Sequence, residues 1–236
     1  MRLGYHDAML TWLLWLAGAY LLGSVSFALI LGKLNGINIR EYGSGNVGAT
    51  NLGRALGKKW GLTCFVLDPG KGLVPVLGYG LFGGLITSAE PIGAVEMLKW
   101  LAVGVAAVVG HVFPVFLKFK GGKGVATSAG ALLGFWPVLS VPVLAAGVVW
   151  FAVTKATAYV GLASVLAAAV LPFFVVGFAL LMGYEIDEIA VCGGVTALLA
   201  AMVILRHSSN IKRLREGTEG KVDWARKNNT GDTEST

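Results

Sequence analysis

Charge is what this sequence is short of. Asp, Glu, Lys and Arg supply only 14% of its 236 residues, while 56% are hydrophobic. Soluble domains carry about 25% charged residues, so too little polar surface is present to cover a water-facing globule. The same shortage excludes a disordered chain. Cysteine is nearly absent: Cys64 and Cys192 each stand alone in an apolar stretch, which excludes a disulfide scaffold and metal-ligand spacing. Carboxylates number 13 against 19 Lys and Arg, and the basic polar segments that could form a site lack the carboxylate cluster a hard cation requires, so no metal or cofactor is expected. The 34 glycines follow no collagen repeat. What is abundant is apolar sequence, with a mean hydropathy of +0.73. A polytopic membrane protein remains.

A helix crossing the roughly 30 Å hydrocarbon layer needs about 20 mostly apolar residues. The first such run, Met9 to Gly32, is longer than a signal-peptide core and reads as one uncleaved span. Others cover 60–86, 97–117, 160–182 and 189–205. The stretch from Val125 to Thr154 is too long for one helix and carries Pro137 and Pro142 in its middle. Proline removes a backbone donor and breaks helices, so two short arms turning near Pro137 are expected, each short for a full crossing. That choice also returns Lys155 to the side of the other basic clusters. The expectation is an all-α membrane protein of about seven transmembrane helices, N-terminus out and C-terminus in. Residues 1–217 form one integral membrane domain, and the polar tail 218–236 frays in the cytoplasm.

Sixteen of the 19 basic residues fall in four clusters, Lys33 to Lys59, Lys118 to Lys123, Lys155, and Arg206 to Lys227. Each abuts a span, as cytoplasmic juxtamembrane loops do, and no aromatic-basic module points to nucleic acid. Three of these clusters sit in segments with further chemistry. GINIREYGSGNVGATNLGRALGKKWG, Gly36 to Gly61, combines Ser44, Asn46, Thr50 and Asn51 with Arg54. Exposed backbone N–H groups beside an arginine form an anion cradle, although a flexible connector with lipid anchors is the plainer alternative. In GHVFPVFLKFKGGKGVAT, Gly110 to Thr127, Lys123 follows Gly121–Gly122 and precedes an apolar helix, an arrangement that suits phosphate. It is no Walker loop, since Gly124 follows the lysine; a positive-inside anchor is the alternative. In RHSSNIKRLREGTEGK, Arg206 to Lys221, His207, Asn210 and Arg213 recur at intervals of three. They share neighbouring parts of one helix face, as would also hold for a basic helix lying on anionic lipid.

Two polar features lie inside apolar runs. Asp68 and Lys71 are spaced for an internal ion pair in a span expected to break at Pro69–Gly70, a structural rather than catalytic pair. His111, beside Pro114, reads as a buried, hydrogen-bonded histidine.

Taken together, GSGNVGATNLGR (Gly43 to Arg54), LDPGKG (Leu67 to Gly72), GHVFPVFLKFKGGKGVAT and HSSNIKRLREGTEGK resemble the acyl-phosphate:glycerol-3-phosphate acyltransferases, the bacterial PlsY-type family. The resemblance covers about Leu22 to Lys221. It implies a seven-helix inner-membrane enzyme that moves a fatty acyl group from acyl-phosphate to the 1-hydroxyl of sn-glycerol 3-phosphate. The products are lysophosphatidic acid and inorganic phosphate. It implies Ser44, Arg54, Lys123, His207 and Asn210 as catalytic residues. Asn46, Thr50, Asn51, His111, Gly121, Gly122 and Ser164 are implied as substrate-binding. The implied partners are glycerol 3-phosphate, acyl-phosphate, membrane lipids and the enzyme that makes acyl-phosphate. One position departs from the family pattern YVSLxS: Gly161 stands at its first serine, leaving Ser164 or Thr157 as substitutes, or the contact as dispensable.

The residue inventory suits that chemistry. None of His6, His111 and His207 has an aspartate five residues on, as thioester-dependent acyltransferases with a His-x4-Asp base do. An acyl-phosphate is a mixed anhydride and already activated, so positioning and fixed positive charge suffice. A transporter for phosphate or an organic phosphate is the rival reading, but transporters place polar groups near the midplane, often in paired repeats. A non-catalytic scaffold gives no reason for so many Gly, Asn and Ser beside basic residues.

Overall fold

The computed structural model describes residues 5–88 and 92–222, and all regular structure among them is helical. Helix α1 (Tyr5–Gly23) and α2 (Phe27–Leu34) divide the first apolar run, which was expected as one span. The break has a long-range cause. Lys71 Nζ donates to the Val25 carbonyl at 2.8 Å, an acceptor that an unbroken helix would have kept for itself. Ser26 then caps α2 by accepting from Leu29 N–H.

Helix α3 (Ala49–Leu56) precedes α4 (Lys58–Phe82), which runs straight through Pro69 and Pro75. The break expected at Pro69–Gly70 is therefore absent. Packing compensates: α6 (Val125–Leu133) lies so close against α4 that a Cβ at Gly130 would collide with the Pro69 carbonyl, and one at Gly72 with the Thr127 carbonyl. Thr127 Oγ1 donates to the Asp68 carbonyl at 3.1 Å, tying the two helices at that level.

Helix α5 (Ala94–Val112) packs on α1 and fills the centre with Trp100. The indole donates to the Val76 carbonyl at 2.7 Å and lies against Phe135, ring centroids 4.1 Å apart. The proline-rich stretch forms two helices that turn near Pro137, as expected, α6 and α7 (Ser140–Thr157), but α7 is not the short arm expected, since its 18 residues are long and apolar enough to cross a membrane. At about 1.5 Å per residue α6 is roughly 13 Å long, less than half the apolar thickness of a bilayer. Helices α8 (Val160–Leu181) and α9 (Ile186–Arg206) follow, and α10 (Ser208–Arg215) continues beyond a kink at His207.

Among the described residues, five helical stretches are long and apolar enough to cross a membrane: Ala8–Leu34, Ala94–Leu117, Ser140–Thr157, Val160–Leu181 and Ile186–Arg206. Helix α4 has the length but is diluted by Asp68, Lys71 and its glycines and prolines. The outer faces are apolar, with Phe173 77% and Leu181 81% exposed, as lipid-facing positions require.

The tail does not fray where expected. Thr218 to Val222 folds back onto the bundle: Val222 N–H donates to the Ala158 carbonyl at 3.0 Å, and Glu219 and Val222 are buried. The packed body thus passes Gly217, and the rest of the tail, 223–236, lies outside the described residues.

Candidate active site

At one end of the bundle the three polar segments meet around a cavity of about 300 Å³. Each arrives for a local reason. The 42–48 loop turns at Gly43 and Gly45, with φ of 53° and 67°, values glycine adopts without strain. Asn51 holds it there: its Nδ2 donates to the Ile39 and Tyr42 carbonyls at 3.2 and 2.9 Å, and its Oδ1 accepts from Ser44 N–H at 3.0 Å. Helices α3 and α6 both begin at the cavity, after Gly48 and Gly124, with no side chain capping their first N–H groups. Two unfilled helix N-termini beside Arg54 and Lys123 give a strongly anion-seeking corner.

The polar end is knotted together from distant parts of the chain. Lys123 Nζ donates to Asn210 Oδ1, and Asn210 Nδ2 donates to Glu219 Oε1 at 2.8 Å. Glu219 Oε2 accepts from Arg213 Nε at 2.7 Å. Arg54 Nη2 donates to the Gly220 carbonyl at 2.7 Å. Lys123 is half-buried, and that burial pulls its ammonium down to about 8; the Glu219 carboxylate opposes the shift, and Arg213, Arg54 and Arg206 add to it. His207 is buried, and its imidazole is pushed down to about 4, by burial first and by the neighbouring Lys123 charge second. Its Nδ1 lies 2.7 Å from the Val203 carbonyl. A carbonyl only accepts, so Nδ1 carries the proton and Nε2 keeps its lone pair.

Ten of the twelve expected residues line this cavity: Ser44, Asn46, Thr50, Asn51, Arg54, His111, Lys123, Ser164, His207 and Asn210. Asn51 does so with its amide fully committed to shaping the loop. Gly121 and Gly122 do not line it. Their carbonyls accept from the Arg206 guanidinium at 3.2 to 3.4 Å, and a Cβ on Gly122 would strike the His111 ring. They let the Lys123 loop lie flat on α5 and α9, a positioning role. His111 is buried, but its Nδ1 has no hydrogen-bond partner among the described residues; Asp68 Oδ1 stands 4.0 Å away. Glu219 was missed because a carboxylate among the basic residues of the tail, with Glu216 close by, carries no local pattern. Thr157 does not reach the cavity; its hydroxyl is spent on the Val153 carbonyl and Tyr159 N–H.

The opposite end of the cavity is apolar, walled by Leu132, Val143, Leu171 and Leu199. A cationic, amide-rich corner therefore continues into a hydrocarbon-lined slot, the shape of a site for an anionic lipid. The family model for "Glycerol-3-phosphate acyltransferase" matches residues 13–217. The chain belongs to this family. The glycerol-3-phosphate acyltransferase of Trichlorobacter lovleyi is 46% identical over 209 residues, spanning 89% of this chain and 96% of the relative. That of Geobacter sulfurreducens is 41% identical over 214 residues, spanning 90% and 98%. The crystal structure of PlsY (YgiH), an integral membrane glycerol 3-phosphate acyltransferase in its glycerol 3-phosphate form, superposes with a TM-score of 0.73. It shares 36% identity, over 90% of this chain and 96% of that one.

Within this glycerol-3-phosphate acyltransferase family member the departure at Gly161 has a packing reason. A Cβ there would stand 2.7 Å from Asn210 Nδ2 and 3.0 Å from its Cβ and Cγ, so the asparagine fills the space a side chain would need. Ser164 lines the cavity one turn on, its hydroxyl donating to the Val160 carbonyl and accepting from Trp150 Nε1. Gly161→Val should displace Asn210 from Lys123 and lower turnover roughly tenfold, within what a small misplacement costs. Activity of the purified variant, with its circular dichroism unchanged, checks this.

Proposed function

We propose that the donor is an acyl-phosphate and the acceptor the 1-hydroxyl of sn-glycerol 3-phosphate, giving lysophosphatidic acid and inorganic phosphate. Family membership makes the chain a glycerol-3-phosphate acyltransferase. The observation that supports the donor is the single cavity with a cationic corner at one end and a hydrocarbon slot at the other. An acyl-phosphate is divided in the same way.

Lys123 and Arg54 hold phosphate oxygens, aided by the first N–H groups of α3 and α6, while Ser44 and Asn210 orient donor and acceptor. His207, neutral with its lone pair on Nε2, accepts a hydrogen bond from the attacking hydroxyl and fixes its direction. Its low basicity leaves the proton to a donor phosphate oxygen. The C–O bond to glycerol forms as the acyl–phosphate bond breaks, and the proton departs on inorganic phosphate, so the step balances within its substrates. Incubating purified protein with glycerol 3-phosphate and either palmitoyl phosphate or palmitoyl-CoA tests this. Lysophosphatidic acid and phosphate should form from the first; acylation from the thioester alone overturns the donor.

A pH dependence follows from Lys123. The ammonium holds phosphate only while protonated, so kcat/KM should fall as pH rises through about 8. Lys123→Arg, which keeps its charge throughout, should lose that alkaline limb whatever its absolute rate.

The bundle reads as seven membrane segments, α1–α2, α4, α5, α6, α7, α8 and α9, with α6 reaching only part-way. The N-terminus is outside, and the cavity and C-terminus face the cytoplasm of a bacterial inner membrane. Support comes from Arg54, Lys123, Arg206 and Arg213 gathering at one end, as cytoplasmic charges do. The enzyme that makes acyl-phosphate is the natural partner at that face.

A further inference from the structure

The cavity is partly open. Helix α4 packs along α3, α5 and α6, and α7 along α8, while α4 and α7 make no comparable contact and face each other across a gap that the cavity occupies. Phe65 of α4 stacks across that gap on Trp150 of α7, ring centroids 6.0 Å and planes 25° apart. Trp150 is steadied by donating Nε1–H to Ser164 Oγ at 3.2 Å. One turn deeper into α7, on the same face, lies Gly147. It and Phe65 line the cavity, and both are exposed.

A glycine in a helix interior weakens the helix and needs a reason. Elsewhere the reason is close packing: a Cβ at Gly23, Gly72, Gly110 or Gly130 would collide with the backbone of a neighbouring helix. At Gly147 a Cβ would meet nothing within 4 Å. Among the described helical glycines with such open space, Gly147 is the one that lines the cavity. A side chain there would fill a channel rather than a packing contact.

We propose that the gap between α4 and α7 is the portal through which the acyl chain passes between bilayer and cavity. Phe65 and Trp150 form its cytoplasmic edge, and Gly147 is the residue that sets its width and so the acyl chains accepted. A sideways opening spares a long tail from crossing water, whose cost grows with every methylene. The inference rests on the acyl-transfer reading above.

The test measures kcat/KM of wild type, Gly147→Ala and Gly147→Leu on palmitoyl phosphate and on butyryl phosphate. Gly177→Leu, at another open helical glycine away from the cavity, is the control. Leucine at 147 should lower palmitoyl transfer by about tenfold or more, with butyryl transfer held within about twofold, a discrimination apolar pockets achieve over a few methylenes. Alanine should fall between. Equal loss on both donors, or no loss on either, overturns the portal. Should Gly147→Leu fail to fold, the alanine variant decides: loss confined to the long donor supports the portal, and any other profile overturns it. A wild type inert toward both acyl-phosphates refutes the donor reading instead, and the same chain-length comparison on palmitoyl-CoA and butyryl-CoA then decides the portal.

Discussion

Replacing Lys123 by alanine should lower kcat/KM about 10²–10³-fold while the protein stays folded in the membrane, the loss typical of removing one fixed donor from a developing charge. The size follows from where the ammonium sits. It is half-buried, it is held by Asn210, and it faces a corner already supplied with two helix N-termini. In that setting a charge acts across little water, and nothing mobile replaces it once removed. Asn210 would survive the substitution in place, because Glu219 holds its other side. Arg54→Ala should cost a similar factor and also free the Gly220 carbonyl, so its residual rate should show a looser tail as well as a weaker anion grip. Steady-state kinetics on purified variants in detergent, with size-exclusion profiles matched to wild type, checks both. Near-normal turnover in Lys123→Ala would remove that residue from the mechanism.

The parts of this site that could be read from the chain are those whose chemistry is local. Ser44 to Arg54, Lys123, and His207 with Asn210 each place polar groups at the edge of an apolar run, where only a site or an anchor would put them. The α6–α7 hairpin was legible too, because Pro137 and Pro142 act on their own backbone. What escaped depends on partners far along the chain. The break at Val25 exists for Lys71, 46 residues away, and the docking of Gly220 for Arg54, 166 residues away. Helix α4 survives Pro69 because α6 packs against it there, a tertiary effect overriding a local rule. Gly121 and Gly122 look like a phosphate cradle in sequence, yet the N–H groups that a phosphate would need are donated to the Val112 and His111 carbonyls.

Lys71→Met should destabilise the protein by about 3–5 kcal/mol, the cost of stranding one partner of a buried pair. Methionine keeps most of the volume, so lost packing is a small part of that figure. The charge is the larger part. Lys71 Nζ stands 3.1 Å from Asp68 Oδ1, both side chains are at most 4% exposed, and the remaining support for the carboxylate is the Cys64 thiol donating to Oδ2 at 3.5 Å. Without the ammonium, Asp68 stays buried beside the unpartnered His111 Nδ1, and the Val25 carbonyl loses its donor at the α1–α2 break. Domains hold only about 5–15 kcal/mol in total, so unfolding in detergent should begin roughly 6–20 °C lower. Asp68→Asn combined with Lys71→Met should recover much of the loss, because a neutral pair is cheap to bury, but not all of it, because Val25 remains unpaired. Turnover should track the repair incompletely for the same reason: Asp68 lines the cavity, and the break it stabilises through Lys71 sets where α2 delivers the Ser44 loop.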